Sequence, residues 1–249
     1  MPAPEAAVLE IAANSPASAL AAQDGGADRI ELCAALELGG LTPSHAQIAL
    51  ARDRVRLPLF VLIRPRAGDF VYADADVEVM LRDIDVCCTL GCDGIVIGAL
   101  DRDGNVDRAR CAALIAAARG LAVTFHRAFD VSRDLPRALE DVIALGCGRV
   151  LTSGARAGAP AGAALIRQLV EQAGERITIM PGGGIDAGNA AELRRRTGAR
   201  EFHASAKRRL PSLQPAASAE LADMSHGELR TDPAEVAALA AALRAARSD

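Results

Sequence analysis

The stretch RVLTSGARAGAPAGAALIRQLVEQAGERITIMPGGG, residues 149–184, decides the fold. Residues 149–152 form a short β-rich run. Residues 159–173 repeat apolar side chains at helical spacing, and Gly174 falls where a helix should stop. Residues 176–180 are β-rich again, and Gly182, Gly183 and Gly184 end them. Strand, helix and strand in this order read as one parallel βαβ unit.

Working outward, the same rhythm covers nearly the whole chain. Further strands are expected at 8–12, 29–33, 58–64, 94–98, 122–126 and 201–205. Further helices are expected at 15–23, 43–54, 75–90, 107–118, 134–145, 186–196 and 233–246. Ser15-Pro16, Thr42-Pro43 and Asp232-Pro233 each set a capping side chain before a proline at a first helical position. Eight strands alternating with eight helices predict a single (β/α)8 TIM barrel, an α/β fold. The domain spans residues 1–249, with a long polar insertion at about 206–231. An open doubly wound sheet is the competing fold, but no Gly-x-Gly-x-x-Gly opens the first helix.

Composition narrows the function classes. The 249 residues are 51% hydrophobic but only 2% aromatic, so Leu, Ile, Val and Ala must fill the core. At ~150 residues per domain this length suits one barrel. A net charge of −4 leaves no electrostatic footprint for nucleic acid. No basic stretch precedes an apolar core at the N-terminus, and no apolar run approaches the ~20 residues of a membrane span. A cytoplasmic protein with reduced thiols is expected. Cys87, Cys88 and Cys92 lie at the end of an apolar helical stripe and read as core. The one lysine, Lys207, follows the eighth strand, so no strand offers a Schiff-base lysine.

In a barrel the active face lies at the C-terminal ends of the strands. Period-two alternation sorts the side chains there. Setting Glu10, Glu31, Arg64 and His203 inward leaves Leu9, Ile11, Ile30, Leu32, Val61, Ile63, Phe202 and Ala204 facing the helices. Two acids, an arginine and, with His126, two histidines thus converge on one barrel mouth. His126 and Asp130, four apart, suggest a histidine whose tautomer an acid fixes; a helix-capping role for Asp130 is equally open. Gly182, Gly183 and Gly184 precede a helix after strand seven, where barrels often bind phosphate. Ser153, Ser205 and Arg66 are placed with them as anion-binding residues. Phe70 and Phe129 are expected as pocket walls or lids.

Seven motifs then appear in order: Asp28-Arg-Ile-Glu-Leu-Cys33, Gly39-Gly-Leu-Thr-Pro-Ser44, Ile63-Arg-Pro-Arg66 with Gly68-Asp-Phe70, Thr124-Phe-His-Arg-Ala-Phe-Asp130, Leu151-Thr-Ser-Gly154, Met180-Pro-Gly-Gly-Gly184 and Phe202-His-Ala-Ser205. Together they resemble the CutC copper-homeostasis family, over about residues 8–206 and 231–247. The resemblance implies a cytoplasmic TIM-barrel protein, often a homo-oligomer, linked to copper tolerance and to Cu(I) binding. Many members carry a cysteine in the first strand. Here that strand reads Glu10-Ile11-Ala12, so Cys33 is the cysteine left as a copper ligand.

Two further readings stand beside copper binding. One is an enzyme working on a small phosphorylated or carboxylated metabolite by general acid/base chemistry. Its catalytic set is Glu10, Glu31, Arg64, His126, Asp130 and His203. The other is a non-catalytic barrel, in which Glu10, Glu31 and Arg64 pair with one another and leave no open pocket.

Overall fold

The computed structural model describes residues 7–212 and 227–245. Eight parallel strands, each followed by an α-helix, form the barrel. The strands are β1 (Val8–Ala13), β2 (Arg29–Leu32), β3 (Leu59–Leu62), β4 (Gly94–Ile97), β5 (Ala122–Phe125), β6 (Arg149–Thr152), β7 (Thr178–Pro181) and β8 (Glu201–Ala204). The helices are α1 (Pro16–Asp24), α2 (His45–Arg54), α3 (Asp74–Thr89), α4 (Arg108–Ala117), α5 (Leu135–Ala144), α6 (Ala159–Ala173), α7 (Ala190–Thr197) and α8 (Pro233–Ala245). The sheet runs β7-β6-β5-β4-β3-β2-β1-β8. A single bridge, Gly182 to His203, joins the β7 side to β8. The expected last helical residue, Ala246, lies outside the described residues.

Local chemistry sets the boundaries. Ser15 caps α1, accepting from the Ser18 amide at 3.1 Å, with Pro16 in the first turn. Thr42 does not cap α2 as expected. Its hydroxyl accepts from the Arg64 amide at 2.8 Å, and the helix starts later, at a Ser44/Gln47 capping box. The seventh helix also starts late. Asp186 accepts from the amides of Gly188 and Asn189 at 2.9 and 3.0 Å, holding a turn there before Ala190.

The long insertion is not all loop. Its ends form an antiparallel pair, β9 (Lys207–Arg209) with β10 (Leu229–Thr231). Residues 213–226 of the insertion lie outside the described set.

Two apolar layers flank the strands. The larger lies between sheet and helices and includes Leu9, Ile11, Ile30, Val61, Ile63 and Phe202. Cys87 and Cys92 are buried in the same layer, as expected of core. Cys33, Phe60, Leu62 and Val96 form a second, smaller cluster inside the barrel.

Beneath that cluster the interior is ionic. Glu10 on β1 is ladder partner to Arg29 on β2 and to His203 on β8. Its carboxylate is fully buried, pairs with the Arg29 guanidinium, and lies 2.7 Å from His203 Nδ1. Arg29 also reaches Glu201 at 2.5 Å, and Arg149 on β6 reaches Glu201 at 2.6 Å. The chain of charges therefore runs β1–β2–β8–β6. It spans the seam where β7 and β8 share one bridge. Both guanidiniums pack against the Phe60 ring, 5.2 and 5.3 Å from its centre.

Burial pushes the Glu10 carboxyl up, but Arg29 and His203 outweigh it and hold it near 2. Its contribution to stability is complete above its ordinary value of 4.5 and is lost as pH falls towards about 2. Removing one partner of a buried pair costs about 3–5 kcal/mol. Arg29→Ala is expected to lower stability by that amount in urea unfolding at pH 7. A loss below ~1 kcal/mol, the worth of an exposed pair, would mean that the ionic layer is not structural.

Candidate functional site

A cavity of about 380 Å3 opens at the C-terminal ends of the strands. Its walls include Glu31, Cys33, Arg64, Phe70, His126 and His203. Gly183, Gly184, Ser205 and Lys207 close the side nearest β7 and β8. The mouth is therefore open, contrary to the non-catalytic reading. Glu10, Glu31 and Arg64 do not form one mutual network.

Arg64 follows β3 and is 6% exposed. Its Nη1 donates to the carbonyls of Leu38 and Gly40 at 2.9 and 3.0 Å, and its Nη2 to that of Gly68 at 2.8 Å. Phe70 covers it, with the guanidinium carbon 5.0 Å from the ring centre. No carboxylate pairs with it among the described residues, and its Nε finds no partner. A buried cation that meets carbonyl dipoles and rings but no carboxylate retains an attraction for an anion.

His126 follows β5 and is also buried. Its Nδ1 accepts the Ala128 amide proton at 3.1 Å. In the neutral ring the proton therefore sits on Nε2, which is buried without a partner. Burial, with the Arg64 charge adding, pulls the imidazole down to about 3. His126 is thus a neutral donor at pH 7. Phe70 flanks it at 5.1 Å between ring centres.

Glu31 sits one alternation above Arg29 on β2. Burial raises its carboxyl to about 7, chiefly by desolvation and against the pull of His203. Its Oε2 has no partner. His203 lies between Glu31 and Glu10. Burial lowers its imidazolium, but the two acids outweigh that and raise it above its ordinary value.

The expected His126–Asp130 pair is corrected. Asp130 turns away to organise the loop after β6. It accepts from the Thr152 hydroxyl at 2.5 Å, from the amides of Ser153 and Ala155 at 3.0 and 3.1 Å, and from Arg127 at 2.7 Å. Ser153 is consumed in the same way, donating to the Arg156 carbonyl at 2.6 Å and accepting from Arg127 at 2.7 Å. Arg66 is also misplaced by the sequence reading. It turns to Asp69 and Asp76, at 2.9 and 3.2 Å, and away from the cavity. Glu10 lies below the cavity as a fully paired ion. Phe129 is fully buried in the outer apolar layer and is no lid, whereas Phe70 is a wall.

The glycine loop is half as expected. Gly183 and Gly184 line the cavity at φ 93° and 68°. Gly182 packs instead against Leu151 and His203. No helix N-terminus follows directly, because α7 begins only at Ala190.

Sequence reading also missed residues. The alternation that places Glu31, Leu151 and His203 inward, continued two residues down each strand, finds Arg29, Arg149 and Glu201. Gly98 has no side chain to signal a role. A Cβ there would lie 2.5 Å from His126 Nδ1, so glycine makes the seat for that ring. Lys207 lies beyond β8 in the chain, yet it reaches the cavity wall through β9.

Cu(I) favours thiolate, thioether and imidazole ligands. Glu10, Glu31 and His203 carry ligand-type atoms within 4.8 Å of one another. Two of the three are hard carboxylates, and Arg29 already neutralises Glu10. Burial and the neighbouring Glu31 hold the Cys33 thiol well above its ordinary range. That thiol faces the Ala13 carbonyl at 3.7 Å. The Met180 sulfur takes the Arg29 guanidinium at 3.3 Å. These residues do not make the set of soft ligands that Cu(I) favours.

Comparison with known proteins gives a consistent family. A sequence model described as the CutC family matches residues 7–208. A family protein CutC of Xanthomonas campestris pv. campestris (strain B100) is 57% identical over 238 residues, covering 96% of this chain and 99% of its own. One from Pasteurella multocida (strain Pm70) is 48% identical over 235 residues, covering 93% and 96%. A solved structure from Streptococcus agalactiae, described as a candidate copper-homeostasis protein CutC, superposes with a TM-score of 0.77 at 32% identity. It covers 80% of this chain and 98% of its own. Thiamine phosphate pyrophosphorylase from Pyrococcus furiosus reaches 0.58 at 16% identity, covering 95% of each chain, and shares the fold alone.

Two outcomes test the site. In NMR, the His126 ring signal is expected to stay at its neutral position from pH ~5 to ~8, the span in which an ordinary histidine titrates. A midpoint inside that window would contradict the neutral assignment. Because the folded ring resists protonation down to about 3, His126 makes stability fall as pH drops below its ordinary 6.5. Gly98→Ala is expected to overpack the His126 seat, costing about 1–3 kcal/mol and shifting that ring signal.

Proposed function

The chain belongs to the CutC family, and from that premise we propose that it serves copper homeostasis by binding a small organic anion in the barrel mouth, with no copper ion held there. The observation that carries the reading is Arg64, a buried guanidinium on the cavity wall with three carbonyl partners and no carboxylate. Lys207 at the rim adds a second positive charge beside Ser205, Gly183 and Gly184. The cavity volume suits a metabolite of modest size, at the small end of ordinary ligand pockets. Phosphorylated and carboxylated compounds meet both conditions. The copper link is then an effect of what the pocket binds.

The reading keeps the protein in the cytoplasm, as its family resemblance implies, and treats a homo-oligomer as the working form. No helix among the described residues is long and apolar enough to cross a membrane.

Two measurements test this together. A thermal-shift screen of phosphorylated and carboxylated metabolites is expected to yield ligands that raise Tm by several degrees. Ligand at about 100 times its Kd adds about 2.7 kcal/mol. Arg64→Ala is expected to abolish the shift. Titration with Cu(I) under reducing conditions, against a competing chelator, is expected to show no tight site that Cys33→Ser removes. Nanomolar copper binding lost in Cys33→Ser would overturn the proposal.

A further inference from the structure

Three polar atoms in the cavity walls are buried without partners: Glu31 Oε2, Arg64 Nε and His126 Nε2. Buried polar groups in native proteins are nearly always satisfied, and of the four unpartnered buried side-chain atoms among the described residues only Tyr72 Oη belongs to a residue outside these walls. They are also different in kind. Arg64 Nε and His126 Nε2 each present an N–H, the latter because Nδ1 already accepts from Ala128. Glu31 presents a carboxyl oxygen. It comes from β2, three strands round the ring from the β5 end that carries His126. An acceptor from β2 and donors from the ends of β3 and β5 thus line one cavity, so a proton can be taken at one point while an oxygen that gains negative charge is held at another.

We propose that the cavity is a proton-transfer site for a small α-hydroxy carbonyl compound bearing a phosphate or carboxylate. Glu31 takes the proton from the carbon beside the carbonyl, and the N–H groups of His126 and Arg64 hold the resulting oxyanion. This inference deepens the anion-binding reading and rests on it.

The step balances without any co-reactant. The C–H bond breaks towards a Glu31 oxygen, and its electron pair forms the carbon–carbon double bond of an enolate. The carbonyl π pair moves onto oxygen. There, two fixed N–H donors in a water-poor pocket stabilise it. Returning the proton from Glu31 to the same carbon regenerates the carbonyl compound. Nothing is oxidised or reduced.

A neutral imidazole donor suits this role, because it polarises the carbonyl without having to give up a charge. Glu31 suits its own, because a base matched to neutral pH is the most effective. The charges around Glu31 are His203, Glu10 and Arg29. Burial outweighs all three and raises the Glu31 carboxyl, with His203 the strongest of the charges opposing it. The anionic tail lies towards Lys207 and Ser205, where the wall from β8 and β9 is polar and partly open.

The test uses the full-length protein with two probes, hydroxypyruvate for the carboxylate and dihydroxyacetone phosphate for the phosphate. In D2O, proton NMR is expected to show protein-dependent loss of the carbon-bound proton beside the carbonyl for at least one of them. The arm that responds identifies the anion. Glu31→Gln is expected to cut the exchange rate at least ~100-fold, and His126→Gln by a similar factor. Binding by Glu31→Gln, followed by calorimetry, is expected to change less than tenfold. Exchange is expected to rise with pH through about 7, where Glu31 ionises, with no limb from His126. Glu31→Gln prepared in the same way also excludes a contaminating enzyme.

Thermal stability serves as the folding control. The Glu31→Gln variant is neutral there at every pH. It therefore escapes the loss of stability that wild type suffers as pH rises from 4.5 to about 7. A probe that binds in an Arg64-dependent way yet exchanges no faster than with Glu31→Gln would overturn this inference and leave the anion reading standing. Neither probe binding nor exchanging would overturn both.

Discussion

The Glu10 carboxylate, held between Arg29 and His203, is the interaction on which the rest of the barrel depends. A charge with no exposure is tolerable only when its partners are fixed. Here the ladder fixes them, because Glu10 is the register partner of both residues. Arg29 and Arg149 then converge on Glu201 and carry the network to β6. The barrel therefore stays joined across the side where β7 and β8 share one bridge. The same layer acts upward. Together with Glu31, Glu10 favours the protonated form of His203.

The division between floor and mouth separates stability from function. Below, every charge has an opposite partner. Above, Arg64 lacks one, and His126 and Glu31 each leave an atom unsatisfied. A fold optimised only for stability would not bury those three atoms around an open cavity. Phe70 completes the arrangement by shielding both Arg64 and His126. In a chain with six aromatic residues, placing one there concentrates a scarce resource at the mouth.

Much of this was legible in the residues alone. The eight strand–helix units follow from period, glycine stops and capping prolines. Alternation faced Glu10, Glu31, Arg64 and His203 into the barrel. The same rule extends downward to Arg29, Arg149 and Glu201, but only the strand ends carry a signal of function. Asp130 and Ser153 defeat the sequence reading for another reason. Spacing of four suggests a pair with His126, but the chain turns into a 3-10 segment at Arg127–Val131. That turn aims the carboxylate at the amides after β6.

The sequence by itself determined the fold class, the family and the inward face of four strands, because those depend on local periodicity and on ordered motifs. Which charges are paired was decided only by tertiary structure, since a partner from a distant strand leaves no local trace. Tertiary structure alone also distinguished Glu10, a satisfied structural ion, from Glu31, an acid with a free oxygen two strand positions from Arg29. The two look alike in sequence. Register makes them different, because it sets Arg29 against Glu10 and leaves Glu31 Oε2 without a partner.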